Sequence, residues 1–506
     1  MTLNRKAEKY FAANKPYAGL GRKALHSGVT FVAARGLNIF MQVASTVLLA
    51  RLLSPHDFGL VAIVLALTGF GPMLIDLGTS EASTQKTVIT PVETSALFWL
   101  NVAIGGALTV LLAGGSGFIA SLFGEPALAG IALLSSLSFI LAAISIQHYA
   151  LMRRAMQFRH IAIIDISTNV IGSIVAVVMA FTEWRYWALA AKPIVTSGLA
   201  AVAVWVSCPW IPGRPRLTPE VKESIRFGIG VAGFTVTDTL SRSADRLALG
   251  YFYGAGPLGF FHNAFLIYSN LLSIVSDPLH NIAVSSLSKL RDNVDRLKGA
   301  WAVALTSVAF FSSAMFAVLA VTGQDFVAIL LGQKWAPAGP LLSVIAVRGI
   351  AHSVERTMGW LHIAAGRSDR WMRWGVISAV CQLGALIAGL PFGAMGVATA
   401  YTVAVFGLFV PALVYAGRPL GIGVKDVLPV VGPQTVAGLG AVAFGLMVQR
   451  LFLLDFSHPV RFVISATACL VAYLAVAVGV FKVTGPLQIA LGVLHDLHLL
   501  GSRRSS

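Results

Sequence analysis

Long apolar stretches, separated by short polar segments, follow one another along almost the whole chain. A helix needs about 20 apolar residues to cross the hydrocarbon core of a bilayer, and the stretches reach that length. They lie at 29–50, 58–80, 95–118, 127–150, 161–182, 186–207, 227–250, 256–284, 300–322, 337–363, 374–391, 393–416, 427–448 and 462–481. The pattern predicts an all-α polytopic membrane protein with about 14 transmembrane helices.

Composition strengthens this prediction and removes other classes of protein. Of the 506 residues, 57% are hydrophobic and 11% are charged, whereas soluble domains carry about 25% charged residues. The loops are short and contain no phosphate-binding GxxxxGK[ST] segment, so we expect neither an enzyme nor an ATP-driven pump. The three cysteines are too widely separated for a metal-ligand spacing, and we expect no metal and no cofactor.

The net charge of +16 comes from basic residues that gather on alternate loops. This distribution predicts an orientation in the membrane rather than binding to nucleic acid, because cytoplasmic loops carry the excess of Lys and Arg. We expect both termini in the cytoplasm and, since the first 28 residues end in no cleavage-like site, no signal peptide. Outer loops then hold few basic residues: Arg51, Arg185, Lys334, Arg450 and Arg461.

Two segments of the chain resemble one another at an offset of about 200 residues. Each joins two spans by a short outer turn, at 54–59 and at 254–259, and each carries an aspartate, Asp76 or Asp277, near the inner end of the second span. The offset covers an even number of spans, so both copies enter the membrane in the same sense. Parallel repeats of this kind predict two pseudo-symmetric six-helix lobes related by an axis along the membrane normal.

The expected organisation follows from the spans and the repeat. It comprises a basic cytoplasmic segment (1–28), a first lobe (29–210), a cytoplasmic linker (211–226), a second lobe (227–416), an additional helix pair (427–484) and a cytoplasmic tail (485–506).

Twelve charged side chains fall inside the apolar stretches. A charge at the centre of a bilayer costs about 2.5–3.5 kcal/mol on insertion scales, so such residues are expected to face a bundle interior or a watered cavity. They are Arg35, Asp76, Asp165, Lys192, Asp238, Arg242, Asp245, Arg246, Asp277, Arg348, Glu355 and Arg356.

Polar side chains recur at helical spacing on three spans, which gives each of these helices a polar stripe on one face. Arginines exceed acidic residues on these spans, and a guanidinium fork binds phosphate oxygens, so we expect an anionic passenger in a cleft between two lobes. The stripes contain Arg35, Asn38, Gln42 and Ser45; Thr235, Asp238, Arg242 and Asp245; and Arg348, His352, Glu355 and Arg356. The expected substrate-binding residues are Arg35, Arg242, Arg246, Arg348 and Arg356.

The other intramembrane charges are candidates for gating or for coupling to a proton or sodium gradient: Asp76, Asp165, Lys192, Asp238, Asp277 and Glu355. Structural roles are the alternative for most of them. These roles are salt bridges of Asp238 with Arg242 and of Glu355 with Arg348 or Arg356, a helix-end position for Asp76, and an ion pair between Asp165 and Lys192.

The run LLARLLSPHDFGLVAIVLALTGFGPMLIDLGTSEASTQK resembles the opening signature of the bacterial polysaccharide-transport proteins, the Wzx-type flippases. In that family a short turn, R-L-L-x-P-x-D-F-G, joins helices one and two, and D-L-G closes helix two. The segments 245–250 and 258–260 are similar to the family's D-x-L-x-I-G … L-G-Y-Y, with Phe260 in place of the usual tyrosine. The resemblance covers both halves and so essentially the whole chain.

The resemblance implies membership of the superfamily that also contains multidrug exporters and lipid II flippases. It implies a flippase that moves undecaprenyl-pyrophosphate-linked oligosaccharide repeat units from the cytoplasmic to the outer leaflet of the bacterial inner membrane by alternating access, for exopolysaccharide, capsule or O-antigen assembly. Expected partners are the lipid-linked oligosaccharide, membrane lipids, and polysaccharide polymerase, chain-length or export proteins. The alternatives are a lipid II flippase and a cation-coupled multidrug exporter, which the arginine excess disfavours.

Overall fold

A computed structural model describes residues 8–11, 36, 40–86, 88–215, 243–289, 293–489 and 491–492. These residues form helices joined by short turns, and no strand occurs among them, which confirms the predicted all-α fold class. The chain divides into two compact units, Met1–Gly259 and Phe260–Ser506.

The helices are numbered in chain order. Those of the first unit are α1 (Glu8–Phe11), α2 (Phe40–Leu52), α3 (Pro55–Thr68), α4 (Gly71–Asp76), α5 (Thr79–Gln85), α6 (Pro91–Phe123), α7 (Ala127–Arg154), α8 (Phe158–Phe181), α9 (Tyr186–Ser207) and α10 (243–253). Helix α11 (Ala255–Lys289) begins in the first unit and continues into the second. The second unit then contains α12 (Val294–Leu330), α13 (Ala338–Glu355), α14 (Met358–Ala365), α15 (Ser368–Gly389), α16 (Gly393–Gly417), α17 (Val424–Phe452) and α18 (His458–Leu474), which continues as a π-helical segment (Ala475–Val480).

Nine stretches of the described residues are helical, long and apolar enough to cross a membrane, which identifies a multi-pass membrane protein. One of them, Asp369–Leu420, includes both α15 and α16. Each apolar stretch found in the sequence contains at least part of a helix. The full number of spans stays a prediction.

Local sequence explains where helix α3 begins, and so explains part of the first repeat. The Ser54 hydroxyl accepts a hydrogen bond from the Asp57 backbone N–H at 3.2 Å, and the Asp57 carboxylate accepts one from the Ser54 N–H at 3.0 Å. Pro55 occupies the first turn, where its missing N–H has no cost. This reciprocal capping box satisfies two backbone donors and fixes the short turn between α2 and α3.

The predicted stretch 58–80 is not one continuous helix. Helix α3 ends at Thr68, and Pro72 lies in the first turn of α4. Proline lacks the N–H that would have bonded to the carbonyl of Thr68, which interrupts the helix. Helix α4 then ends in two left-handed residues, Leu77 at φ 42° and Gly78 at φ 70°, before α5 begins. The D-L-G motif therefore forms a turn inside this stretch.

The predicted stretch 337–363 is also interrupted. Helix α13 ends at Glu355, and Arg356 and Thr357 separate it from α14. The Thr357 hydroxyl donates to the Val354 carbonyl at 2.7 Å and so satisfies one carbonyl of the last turn. The charged residues at 355 and 356 thus lie at a helix end, not in the middle of a continuous helix.

Each unit has its own apolar core. In the first, a cluster that includes Phe98, Leu151 and Trp210 packs around Tyr10 of α1, whose hydroxyl donates to the Ser207 carbonyl at 3.0 Å. Burial raises the pKa of Tyr10 above its usual value. In the second unit the core joins α12, α13, α14, α16 and α17 around the buried indole of Trp301. These clusters fix the helices that carry the polar residues described next.

Candidate functional site

The turn after α4 places the aspartate of the D-L-G motif at the start of α5. The Asp76 carboxylate accepts hydrogen bonds from the Ser80 backbone N–H at 2.8 Å, the Ser80 hydroxyl at 2.6 Å and the Thr79 hydroxyl at 3.1 Å. It thereby satisfies a free donor at a helix N-terminus, where negative charge is also favoured by the helix dipole. Arg35, one of the expected substrate-binding residues, lies outside the described residues.

A fully buried polar network lies behind this turn. The Gln147 amide donates to the Thr79 hydroxyl at 3.0 Å, and its carbonyl oxygen accepts from the Ser83 hydroxyl at 2.8 Å. Turning the Asn101 amide so that its nitrogen points to Thr79, at 3.1 Å, satisfies both of its polar atoms. These four side chains are all 0% exposed. The network ties α5 to α6 and α7, and its groups satisfy one another.

Lys192 lies within α9 and reaches α2. Its amino group donates to the Ser45 hydroxyl at 2.9 Å, and Ser45 is 4% exposed. Ser45 belongs to the polar stripe expected on the first span, so the structure adds a lysine to that stripe. Within the part of the chain that the structure describes, no carboxylate pairs with Lys192.

The expected ion pair between Asp165 and Lys192 is wrong. Asp165 instead accepts a hydrogen bond from the Tyr149 hydroxyl on α7 at 2.8 Å. A Cβ built on Gly172 of α8 would lie 3.2 Å from the Lys192 carbonyl, which fixes the register of α8 against α9. Asp165 is two helical turns, roughly 10 Å, from that contact. Asp165 and Lys192 therefore lie at different heights along the packed helices α8 and α9.

Helix α10 carries two of the expected charges. Asp245 is 4% exposed and accepts a hydrogen bond from the Arg246 backbone N–H at 2.7 Å, while the Arg246 Nε lies 3.9 Å from the same oxygen. Arg242 and Asp238 lie outside the described residues. The positions of Asp245 and Arg246 are therefore compatible with an intramembrane polar stripe, and their roles stay predictions.

In the second unit, Arg348 of α13 is buried with only 7% of its surface exposed. Its guanidinium carbon lies 5.5 Å from the centre of the Tyr401 ring on α16. Its Nε makes no hydrogen bond, and no ion pair to Arg348 forms among the described residues. A guanidinium bearing a full charge in this state has an unsatisfied donor.

A tyrosine and a histidine that the sequence reasoning did not combine lie on neighbouring helices of the same unit. The Tyr268 hydroxyl on α11 is 2.6 Å from the Nδ1 of His352 on α13, and the two rings stack at 6.2 Å. Tyr268 is 1% exposed. His352 lies one helical turn from Arg348, so the pair adds a hydroxyl and an imidazole to the polar face of α13.

Two further expected residues end helix α13. Glu355 is 5% exposed, and Arg356, which caps the helix, is exposed. Asp277 belongs to helix α11, but its side chain lies outside the described set. The shared face of Arg348, His352 and Glu355 follows from their spacing along α13, and their roles stay predictions.

The two outer turns of the sequence repeat pack against one another reciprocally. A Cβ atom on Gly59 would lie 1.7 Å from the Ala255 carbonyl oxygen, and one on Gly259 would lie 1.9 Å from the Pro55 carbonyl oxygen. Residues 55 and 255, like 59 and 259, correspond in the repeat. Only glycine permits backbones to approach so closely, which explains why each copy has glycine at this position.

A buried ion network near the end of α12 was missed by the sequence reasoning. Asp325, 0% exposed, accepts hydrogen bonds from Gln449 at 2.9 Å, from His458 Nδ1 at 2.8 Å and from Arg461 Nε at 2.7 Å. The predicted stretch 300–322 stopped short of Asp325, although the apolar residues 326–331 signalled that the helix continues. These hydrogen bonds link α17 and α18 to α12.

Comparison with solved structures identifies the fold. The fold is similar to "Lipid II flippase MurJ, inward closed conformation", with a TM-score of 0.72, 16% sequence identity, and coverage of 90% of this chain and 99% of that chain. It is also similar to a multidrug resistance MATE family transporter of the MOP superfamily in its inward-facing conformation, with a TM-score of 0.58, 13% identity, and coverage of 77% and 96%. The chain therefore shares the fold of these two solved proteins.

Sequence comparison then gives the family. Residues 48–340 match the family described as "Polysaccharide biosynthesis protein", and the chain belongs to it. It is 26% identical to "Lipopolysaccharide biosynthesis protein WzxC" of Escherichia coli (strain K12), covering 73% of this chain and 75% of that protein. It is 23% identical to "Succinoglycan biosynthesis transport protein ExoT" of Rhizobium meliloti (strain 1021), covering 69% and 70%. The resemblance to the Wzx-type proteins is confirmed.

Proposed function

We propose that this chain flips undecaprenyl-pyrophosphate-linked oligosaccharide repeat units from the cytoplasmic to the outer leaflet of the bacterial inner membrane, with both of its termini in the cytoplasm. The family and the relatives named for lipopolysaccharide and succinoglycan biosynthesis support a polysaccharide precursor as the passenger. Such a precursor joins a long apolar tail to a pyrophosphate, so its transporter needs positive charge at membrane depth.

The observation that carries this proposal is the buried guanidinium of Arg348. Its Nε lacks a hydrogen bond, and the described residues supply no carboxylate to pair with it. A buried charge without a partner is costly to the fold, so its presence needs a functional explanation. Phosphate oxygens accept hydrogen bonds from a guanidinium with matching geometry. Tyr268 and His352, beside it, supply further polar groups for a headgroup.

The reciprocal packing of the outer turns supports alternating access. Gly59 and Gly259 bring two backbone segments into contact at the ends of helices that the orientation places at the outer surface. Release of a headgroup to the outer leaflet requires such segments to separate, and the contact has no interlocking side chains at the glycines. We infer that the described state is closed at these turns.

The residues expected to gate or to couple transport to an ion stay proposals. Asp165 is exposed and bonded to one tyrosine hydroxyl, which leaves a carboxylate oxygen for a proton or a sodium ion. Asp76 has its carboxylate occupied by the first turn of α5, which favours a role in holding the turn. Coupling therefore rests more on Asp165 than on Asp76.

The test replaces Arg348 in a host whose own copy of the gene has been deleted. We expect Arg348→Ala to lower surface polysaccharide at least about 10-fold, since a charge-assisted hydrogen bond is lost, and Arg348→Lys to restore part of it. Arg450→Ala, at the exposed end of α17, is the matched control and should leave the polymer unchanged. Surface polysaccharide and membrane-protein level are measured together.

Polymer at the control level in Arg348→Ala, with equal protein, would remove this residue from the mechanism. Normal polymer after deletion of the gene, with changed drug susceptibility, would instead support the multidrug exporter. Loss of cell-wall synthesis before any loss of surface polymer would support the lipid II flippase.

A further inference from the structure

We propose that Lys192 and Ser45 form an anion-binding site in the first unit, which takes a phosphate oxygen of the passenger; this inference rests on the proposed function. The residue was expected to serve gating or ion coupling, or to be neutralised by Asp165. Its surroundings favour a direct contact with a ligand instead.

The first step is the position of the amino group. Lys192 is the seventh residue of α9, which places it roughly 9 Å along the helix from its first residue, too far for its ammonium to be treated as part of a helix end. The side chain is half-buried, so part of its surface remains accessible.

The second step is the absence of a neutralising partner among the described residues. The amino group bonds to a hydroxyl, Ser45 Oγ, at 2.9 Å. A hydroxyl offers lone pairs but no negative charge, so Ser45 does not neutralise an ammonium at this position and leaves two of its N–H donors for another acceptor. The register at Gly172 holds Asp165 two turns away, where Tyr149 binds it.

The third step is the local backbone, which holds the lysine in this direction. Gly172 on α8 lies against Lys192 and Thr196, because a Cβ there would be 2.2 Å from the Thr196 hydroxyl oxygen. Pro193 follows directly and provides no N–H for the carbonyl of Leu189. The side of α9 that faces α8 is therefore closely packed at Gly172, and the lysine side chain extends to Ser45 of α2.

A positive amino group beside a hydroxyl, both on membrane-embedded helices, is suited to an anionic oxygen. The hydroxyl can donate to the same oxygen that the ammonium binds, once Lys192 and Ser45 turn from one another towards the ligand. Lysine acts as a point charge at phosphate sites. The ligand class that meets these groups and remains in a membrane is a lipid phosphate or pyrophosphate.

The experiment uses the full-length protein in nanodiscs of zwitterionic lipid. Dissociation constants are measured for undecaprenyl pyrophosphate and for undecaprenol, which has the same tail and no phosphate. The variants are Lys192→Met, Lys192→Arg and Ser45→Ala, with Lys298→Met as the matched control, because Lys298 Nζ bonds only to the Gly421 carbonyl at 3.0 Å. Dependence of flipping on a pH gradient is recorded in proteoliposomes for the same variants.

We expect Lys192→Met to weaken undecaprenyl pyrophosphate binding about 10-fold or more and Ser45→Ala by a smaller factor, with undecaprenol binding unchanged. Lys192→Arg should restore most of the affinity. Unchanged pyrophosphate affinity in Lys192→Met would overturn the inference, and a lost response to the pH gradient in that variant would assign the lysine to ion coupling. An equal loss of affinity for undecaprenol would show that Lys192 supports the fold and does not bind the phosphate.

A wild-type protein that binds neither ligand, or that binds undecaprenyl pyrophosphate no better than undecaprenol, would remove the proposed function together with this site. Tight pyrophosphate binding by the wild type with no effect of the Lys192 variants would remove the site alone. The two failures are thus separable.

Discussion

The buried network around Thr79 and the buried guanidinium of Arg348 are two ways in which this chain places polar groups in apolar surroundings. At Thr79, each donor is matched by an acceptor from a neighbouring helix, and the four side chains hold a broken helix in place. At Arg348, an Nε donor is buried without an acceptor and a charge has no ion-pair partner in the described chain.

The difference separates structural from functional polarity. A matched network stabilises the folded state, so its removal should lower the free energy of unfolding. An unmatched charge lowers the stability of the folded state. Its removal should therefore impair function without lowering the free energy of unfolding. Charge and depth alone, which drew attention to both regions, do not make this distinction. Hydrogen-bond satisfaction does.

The largest loss of stability is expected at the other matched network, around Asp325. Asp325→Ala removes a fully buried carboxylate that accepts from the half-buried Arg461, which should cost up to about 3–5 kcal/mol. Asp295→Ala, at the exposed start of the same helix, is the control. Thermal unfolding in detergent is followed by the reaction of a thiol dye with the buried Cys208 and Cys469, in a Cys381→Ala background. Equal unfolding temperatures for the two variants would show that the network is not structural.

A smaller loss of stability is expected when the hydrogen-bond network around Thr79 is disrupted. Gln147→Leu removes the partner of Thr79 and Ser83 and should cost about 1–3 kcal/mol for each buried group left unsatisfied. Gln434 of α17 provides a matched control, because it is 1% exposed and its carbonyl oxygen has no hydrogen-bond partner. Gln434→Leu should therefore be neutral or stabilising in the same unfolding assay. A larger loss at Gln434 than at Gln147 would break the distinction between matched and unmatched groups.

The helices could be predicted from hydrophobicity, because spanning segments must satisfy their own backbone groups. The ends of α9, at Tyr186 and Ser207, coincide with the predicted stretch. The interruption after Thr68 was also visible in principle, since Pro72 follows two glycines within four residues. It was missed because an apolar run was treated as one helix.

The partners of the polar residues could not be predicted, since they depend on helix register and on residues distant in the chain. Lys192 meets Ser45 rather than Asp165 because of one close packing contact at Gly172. Asp325 meets Arg461 across 136 positions of sequence. Of the expected substrate-binding residues, Arg348 is the one on which the proposed function rests, while Arg35 and Arg242 lie outside the described residues.

The smallest effect on stability, and the most direct test, is expected at Arg348 itself. Arg348→Met keeps an unbranched apolar side chain and removes the guanidinium with its charge. We predict an unfolding temperature equal to or above that of the wild type, together with loss of surface polysaccharide and accumulation of the lipid-linked precursor in cells. A fall in unfolding temperature with unchanged polysaccharide would show instead that Arg348 holds the fold, and would contradict its assignment to the passenger.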